Sequence, residues 1–486
     1  MKKFFLPLLA VALVACTEKK ADPWTEAEEI VNNMTKVSFP ERSVVITDLG
    51  AVADDPHKLA HDAINRSIEA ISAAGGGTVV VPEGTFYTGP ITLKSNVCLH
   101  LSDNAVLKFS TNIEDYFPAV LTRWEGVDCY NTHPLIYAYE ATNIAITGKG
   151  VLDAQGSKDA WWDRMPIERK WRNENPNDPN SPKIKPSRIQ LLEWGESKTP
   201  VEQRSFTPDR ALRPQFVNLY KCKTILIEGV TLLNSPFWVL HPLFCEDMIV
   251  RGVTVKNHGP NGDGCDPESS KNVLIENCVF DTGDDCIAIK SGRNEDGRKW
   301  NIPSENIVVR GCHMVDGHGG VVIGSEISGG YRNLYVENCT MDSPNLDRVV
   351  RIKTSNCRGG VIENIYVRNV EVGECNEAVL RINLNYEPRE DCRRDFNPVV
   401  RNVNLENVTC QKSKYGVWFC GLETETNIYG ISLKNCVFNG VKTGTNHLEG
   451  LIGDITIENQ IINGEVVAEL TSEEVGRKPM KAKGPM

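Results

Sequence analysis

Residues 273–278 read VLIENC, and the same pattern returns as IVVRGC at 307–312 and LYVENC at 334–339. Each segment alternates apolar residues and then places a charged residue, a Gly or Asn, and a small apolar residue. Alternation with period two is typical of strands with one buried face. Gly or Asn suits a tight bend with an unusual backbone angle. Related segments begin at 225, 248, 365, 403, 431 and 455.

A strand, a bend and a strand repeated at this spacing are the sequence signature of a solenoid. We therefore predict an all-β fold, a parallel β-helix with a short N-terminal capping helix. A β-sandwich is the alternative, but the single recurring unit argues against it. Coils that stack ~4.8 Å apart would align the small residue after each bend. We expect four such thiols to form a buried ladder without disulfides: Cys278, Cys312, Cys339 and Cys436.

The repeat predicts one domain over residues 43–465. Residues 53–77 have helical apolar spacing and end at a glycine run, as expected of a helix that caps the N-terminal opening. Residues 157–214 interrupt the repeat and contain 12 basic and 9 acidic side chains. We interpret them as an inserted excursion. Residues 466–486 are predicted to form a flexible tail.

The N-terminus begins MKKFFLPLLAVALVAC, with two lysines, a short apolar stretch and a cysteine. This pattern resembles a bacterial lipoprotein signal, removed as residues 1–15 and followed by lipidation of Cys16. Residues 16–42 are then predicted to be a linker. The expected location is periplasmic or at the cell surface, anchored to a membrane; an uncleaved anchor helix is the alternative. The net charge of −11 argues against a nucleic-acid partner.

Candidate chemistry concentrates in residues 261–292, where three aspartates stand among glycines and cysteines. Asp263 and Asp284 are 21 positions apart, roughly one coil, and Asp285 follows directly. Aspartates beside glycines are also ordinary turn residues. An adjacent pair is harder to explain as turn structure, because like charges so close repel and raise a pKa. Both can face one cleft only if the strand bends there.

Four short motifs in this order resemble those of glycoside hydrolase family 28, the polygalacturonases and their relatives. The resemblance covers roughly residues 43–465 and implies a right-handed parallel β-helix. Gly262 departs from the threonine that is more common in the family. The motifs are NGDG (261–264), GDDC (283–286), GHGG (317–320) and RIK (351–353).

The resemblance implies a hydrolase that inverts the anomeric carbon. Asp284 would protonate the leaving oxygen, while Asp263 and Asp285 hold and deprotonate the attacking water. Inversion usually needs acid and base ~6.5–9.5 Å apart. We also expect the neighbouring carboxylates to raise one pKa and keep Asp284 protonated. His318 would orient or tune the acid.

The substrate implied is a pectic polysaccharide or oligogalacturonide. Arg351 and Lys353 lie two positions apart, hence on one strand face, and would bind a sugar carboxylate. Residues 345–360 carry a net charge of +3 that suits this ligand. Asn261 and Tyr386 would complete the binding residues. No cofactor or metal is expected.

Two insertions, 157–214 and 293–305, predict a wall of tryptophans and arginines beside the cleft, and hence exo action. Several alternatives stay open. The same family includes rhamnogalacturonan and xylogalacturonan hydrolases, and some polysaccharide lyases share the β-helix. A glycan-binding solenoid without activity is a third alternative.

Overall fold

The computed structural model describes residues 22–387 and 389–467. They form a right-handed parallel β-helix whose coils are built from three parallel stacks of strands. The predicted fold is confirmed. The predicted signal peptide, Cys16 and residues 468–486 lie outside the described residues, so export, lipidation and the tail stay predictions. No helix among the described residues is long and apolar enough to cross a membrane.

The first stack contains the recurring segments from which the fold was predicted. Its members pair in parallel and in register, for example Val273 with Ile307 and Ile307 with Leu334. The strands are Ser43–Val45, Gly77–Val81, Val97–Leu101, Thr142–Gly148, Lys223–Glu228, Glu246–Arg251, Lys271–Glu276, Ser304–Arg310, Tyr331–Glu337, Val361–Glu374, Val399–Lys412, Ile428–Lys434 and Ile455–Glu458.

The second stack follows each bend. The bend residues have left-handed backbone angles, such as φ 55° at Asn277 and 61° at Gly311. Two long strands of the first stack, Val361–Glu374 and Val399–Lys412, continue through into this stack. Its other strands are Gly84–Thr88, Ala105–Phe109, Val151–Asp153, Thr231–Leu233, Thr254–Asn257, Val279–Thr282, His313–Asp316, Thr340–Met341, Val437–Phe438 and Ile461–Ile462, with Glu465–Val466 pairing antiparallel at the end.

The third stack carries the site and is called the cleft sheet below. Single bridges at Cys265 and Glu268 join its two halves. Its strands are Ile91–Thr92, Ile136–Tyr139, Val217–Tyr220, Leu240–Leu243, Ile287–Ile289, Gly319–Gly324, Arg348–Lys353, Ala378–Asn383, Tyr415–Cys420 and His447–Glu449.

Apolar residues from all three stacks fill the interior of the solenoid. The four predicted ladder thiols are buried and free, which confirms that prediction. The sequence did not identify one disulfide, between Cys357 and Cys392, which ties the loop after Lys353 to the loop after Asn383. The pairing was not predictable because neither cysteine belongs to the repeat.

Within residues 22–387 and 389–467, five helices lie outside the stacks. Helix α2 (His61–Ala73) buries Ile64, Ile68 and Ile71 against the first coils, so the predicted cap is confirmed within narrower bounds. Helix α1 (Pro23–Asn33) packs Ala27 on the outer face of the first stack. The prediction of a plain linker over 16–42 is therefore wrong for this part. The other helices are α3 (Met165–Arg169), α4 (Ser187–Glu196) and α5 (Asn294–Trp300).

The excursion folds into α3, α4, short 3-10 turns at Trp161–Arg164 and Val201–Gln203, and a small hairpin, Arg172–Asn173 with Lys183–Ile184. A second hairpin, Val120–Trp124 with Val127–Asn131, lies beside it. Two further 3-10 turns are Ile46–Leu49 and Ile113–Tyr116. The loop expected at 293–305 contains α5, which contacts α4.

Candidate active site

The three predicted aspartates lie at one edge of the cleft sheet, just before its strands begin. Cys265 pairs with Ile287, which makes one coil 287 − 265 = 22 residues long at this point. Asp263 is therefore equivalent to Asp285 rather than to Asp284. The predicted step of 21 residues is one short, but it correctly placed the residues on adjacent coils.

Both members of the Asp284–Asp285 pair face the cluster because residues 283–286 form a bend between two strands. The Thr282 hydroxyl donates a hydrogen bond to the Asp284 carbonyl at 2.8 Å. The Asp285 backbone N–H donates to Asp284 Oδ1 at 3.0 Å. The bend predicted at GDDC is confirmed, and it turns consecutive side chains toward the same space.

One carboxylate oxygen from each of Asp263, Asp284 and Asp285 lies within 4.8 Å of the others. This spacing is shorter than the ~6.5–9.5 Å usual between the carboxyl groups of inverting glycosidases. The general acid–base spacing is therefore not met here, because a single bend supplies two of the carboxylates and the adjacent coil supplies the third. The Asp284 side chain is 23% exposed, whereas that of Asp285 is 0% and that of Asp263 is 5% exposed. Asp284 alone is readily accessible from the cleft.

Asp285 is held ionised by two cations from the strand Arg348–Lys353. Its Oδ2 accepts a hydrogen bond from Lys353 Nζ at 2.6 Å, and its Oδ1 lies 3.6 Å from Arg351 Nη1. Burial alone would raise the pKa of Asp285, but Lys353 and then Arg351 lower it to about 2. Asp285 is therefore a base at any ordinary working pH.

Asp263 has the opposite environment. Burial, followed by the charge of Asp284, raises the pKa of Asp263 to about 8. Lys290 Nζ lies 3.5 Å away and only partly offsets this. Crowding of the carboxylates thus raises one pKa in the cluster, as predicted. The raised pKa belongs to Asp263, and the protonated Asp284 expected from the sequence stays a prediction.

His318 lies where the sequence predicted, on the next coil. Its backbone N–H donates to the Asp284 carbonyl at 3.0 Å, and its ring Nδ1 is 3.3 Å from Asp284 Oδ1. The hydrogen bond with Asp284 raises the pKa of His318. The imidazole can thus orient the exposed carboxyl and respond to its charge.

The predicted binding residues fall into two groups. The Tyr386 ring lies 5.5 Å from the Arg351 guanidinium and 5.6 Å from Lys353 Nζ, so these three residues are brought together beside Asp285. Asn261 lies apart from them and accepts hydrogen bonds at its Oδ1 from Arg169 and Arg213. Contact between Asn261 and substrate stays a prediction.

The expected basic patch at 345–360 is largely neutralised by carboxylates outside this stretch. Arg348 pairs with Glu377 as well as Asp347, and Arg358 pairs with Glu387 and Glu390. The stretch has the net charge of +3 counted from the sequence, but carboxylates of the next coil offset much of it. Arg351 and Lys353 are the two cations of the stretch that face the carboxylate cluster.

Sequence reasoning missed Lys290. Its ammonium group lies 3.5 Å from Asp263, 3.6 Å from Asp266 and 3.4 Å from Glu326, and 4.3 Å from the centre of the Trp238 ring. Lys290 is buried and partly neutralises the negative charge of these three carboxylates. A lysine directly after the buried run CIAI was the available signal.

A block of inserted structure covers the cleft sheet on the N-terminal side of the cluster. It consists of the hairpin 120–131, the excursion and α5, and its parts are joined by buried ion pairs. Arg204 binds Asp296 of α5 at 2.5 Å, and Arg123 binds Glu268 of the cleft sheet at 3.0 Å. Glu268 is 0% exposed.

Two of the excursion's four tryptophans pack against the solenoid and are not part of the predicted wall. Trp161 and Trp162 donate to the carbonyls of Ala154 and Ser235, so they attach the excursion to the solenoid. Trp171 alone among the excursion's four is largely exposed, at 52%. Arginines rather than tryptophans connect the block to the site.

In the part of the chain that the structure describes, two groups of side chains each bring three possible metal ligands together. They are the catalytic cluster and the group His258, Asp281 and Asp316 on the rim. In the cluster, Lys353 already contacts Asp285 and Lys290 lies near Asp263. In the rim group, Asp316 is occupied by Ser343 and Asn345. Fixed ammonium groups thus supply the positive charge that the catalytic cluster needs.

Three neighbouring carboxylates that differ in burial and lie against fixed cations can supply the acid and the base of a hydrolase. Sequence comparison agrees with this class. The model of the family described as Glycosyl hydrolases family 28 matches residues 193–448, more than half of the chain. The chain belongs to this family and is a glycosidase. The alternatives of a lyase and of an inactive solenoid have no support from this result.

Three relatives each align over 80% or more of this chain. An exopolygalacturonase structure from Thermotoga maritima is 41% identical, has a TM-score of 0.84 and aligns over 92% of this chain and 97% of that one. A probable polygalacturonase from Vitis vinifera is 28% identical over 82% of this chain and 74% of its own length. An exo-poly-alpha-D-galacturonosidase from Dickeya chrysanthemi is 27% identical over 80% and 66%.

Proposed function

We propose that this protein is an exo-acting polygalacturonase that hydrolyses α-1,4-linked galacturonate with inversion. One observation carries the proposal: the carboxylate cluster lies directly beside the block that closes one end of the cleft sheet. The names of the relatives from Thermotoga maritima and Dickeya chrysanthemi support the same activity.

Asp284 is the acid, because it is the one carboxyl of the three that a glycosidic oxygen can readily reach. His318 orients it through the contact at 3.3 Å. Proton donation in the transition state removes the need to expel an unprotonated sugar alkoxide. Asp284 regains its proton from solvent after product release.

Asp285 is the base that deprotonates water, and Asp263 holds that water. The Oδ1 atoms of both residues are buried and accept no hydrogen bond from the described residues. A water between carboxylates within 4.8 Å of each other can lie ~2.7 Å from both. Asp285, at 0% exposure and bonded to Lys353, cannot reach a sugar carbon itself. Water attack in one step, and hence inversion, follows from this burial.

Arg351 supplies the recognition of a uronate. Its side chain is 12% exposed, and it lies between the base and the Tyr386 ring. A sugar carboxylate placed there gains a charge-assisted hydrogen bond. Lys353 is committed to Asp285, so its main role is to keep the base ionised rather than to bind the substrate.

Exo action follows from the closed end of the groove. Arg169 of the block reaches Asn261, next to Asp263, on one edge of the cleft sheet. Arg204 reaches Asp296 of α5 beyond the opposite edge. The block therefore crosses the groove, and a long chain cannot continue past the cluster on that side. A chain end must be bound there instead.

Product sizing early in digestion tests this proposal. On polygalacturonate, we expect mono- or digalacturonate from the first time point, with little loss of viscosity. Fully methyl-esterified pectin and rhamnogalacturonan serve as matched polymers and should be cleaved poorly. A ladder of mid-sized oligomers would rule out exo action. Faster cleavage of either control polymer would refute the galacturonate assignment, and products absorbing in the ultraviolet would indicate elimination.

A further inference from the structure

The strand after Arg351 repeats its arginine one coil further along the groove. Arg381 pairs directly with Arg351 in the cleft sheet and with Trp418 on the following coil. The two strands read RVVRIK (348–353) and AVLRIN (378–383). Residues at equivalent positions of stacked coils point the same way, ~4.8 Å apart. Arg381 therefore extends the row that begins at Arg351.

Arg381 differs from every other buried arginine in the part of the chain that the structure describes. It is 5% exposed, and among the described residues it contacts backbone carbonyls and an aromatic ring without forming an ion pair to a carboxylate. Buried charges are normally paired. The other five buried arginines each have a carboxylate partner: Arg123, Arg204, Arg213, Arg293 and Arg358.

The guanidinium of Arg381 is fixed in place without being neutralised. Its Nη1 donates to the carbonyls of Ile382 and Trp418 at 2.9 and 3.2 Å. Its carbon lies 3.9 Å from the centre of the Trp418 ring, a cation–π contact. A guanidinium carries five N–H donors, more than these two carbonyls use. Burial lowers the pKa of Arg381 to about 10, so the group stays charged at neutral pH.

Aromatic and basic side chains border Arg381 on the side away from the block. Tyr415 packs on Trp418 with ring centres 5.2 Å apart and stacks on His447 at 4.8 Å. Lys414 Nζ lies 4.9 Å from the Tyr415 ring and is exposed. Sugar rings bind well to such aromatic surfaces, and the cations suit an anionic chain.

We propose that Arg381, Tyr415 and Lys414 form a second uronate subsite. It takes the carboxylate of a galacturonate residue beyond the one bound at Arg351. The subsite lies on the open side of the cluster, opposite the block, so it holds the part of the polymer that remains after each cleavage. This inference rests on the proposed function and adds to it the direction in which the chain leaves the site.

Dependence of activity on chain length tests the subsite. We expect kcat/KM of the wild-type enzyme to rise from di- to hexagalacturonate. Arg381→Met should lower kcat/KM by about tenfold on tri- and longer substrates while changing it little on the dimer. Arg381→Lys should restore part of the loss. Arg401→Met, which removes an exposed arginine from the first stack, is the matched control and should leave the whole profile unchanged.

The outcomes distinguish substrate binding by Arg381 from a purely structural role of this residue. An equal loss on all chain lengths, with a lowered Tm, would overturn the proposal. An unchanged profile would do the same. If Arg381→Met does not fold, Lys414→Ala serves as the second variant, because Lys414 is exposed. It must reduce the rise of kcat/KM from di- to hexagalacturonate. If wild type cleaves no galacturonide, the proposed function fails; if it cleaves them but neither variant alters the length profile, only the subsite fails.

Discussion

Replacing Asp284 by asparagine is expected to lower kcat on polygalacturonate by about 10²–10⁴-fold. The amide keeps the side-chain volume and can still contact His318, but it has no proton to give to the leaving oxygen. Binding of oligogalacturonate should survive, because Arg351 and the rest of the groove are unchanged. Steady-state kinetics together with calorimetric binding measure the two effects separately.

Asp281→Asn is the matched control for this substitution. Asp281 lies three positions earlier, is part-exposed and pairs with His258 at 2.7 Å rather than with the cluster. Its variant should retain nearly full activity. If Asp284→Asn kept activity within about threefold of wild type, well short of the usual contribution of acid catalysis, Asp284 would not be the acid.

Replacing Asp285 by asparagine should lose both activity and stability. The water would have no ionised base, so kcat is expected to fall by about 10²–10⁴-fold. Lys353 would also lose its carboxylate at 2.6 Å, and breaking a buried pair from one side costs roughly 3–5 kcal/mol. The expected result is a lower Tm as well as a near-inactive enzyme.

The double variant Asp285→Asn with Lys353→Met separates these two effects. Removing the orphaned ammonium group should recover much of the lost stability, since no unpaired charge is then left buried. Activity should stay absent because the base is still missing. Recovery of activity together with Tm would mean that Asp285 acts only as a structural partner of Lys353.

The sequence predicted the solenoid because the repeat expresses a local rule, a buried strand followed by a left-handed bend. Asn277, Asn338 and Asn407 adopt that conformation as expected. The aspartates of the site were found for a related reason, since charges are unusual beside such regular apolar strands. The features that the sequence did not predict depend on which residues of neighbouring coils are paired.

The register is the clearest case. A step of 21 residues pairs Asp263 with Asp284, but the bridge between Cys265 and Ile287 pairs it with Asp285 instead. Inserting one residue in a bend does not change the alternation of apolar residues in the flanking strands, so the sequence pattern does not reveal it. The pKa pattern follows from this register, because Lys353 comes to lie on Asp285 and Asp263 is left with the more distant Lys290.

Partners far apart in sequence explain the remaining differences. Local charge counting could not show that Glu377, Glu387 and Glu390 neutralise arginines of the preceding coil. Helix α1 did carry a local signal, Asp22 before Pro23, which is typical of a helix start. Its short length and polar composition made a linker the simpler prediction.

The central claim is that buried Asp263 and Asp285 activate a water for direct attack, although the carboxylates lie within 4.8 Å of one another. Proton NMR of the first product formed from an α-linked galacturonate oligomer tests it most directly. A β-configured reducing end that appears first and then mutarotates is the predicted result. An α-configured reducing end at the earliest time points would contradict the account, because it would require a covalent intermediate on a carboxylate that the structure keeps buried.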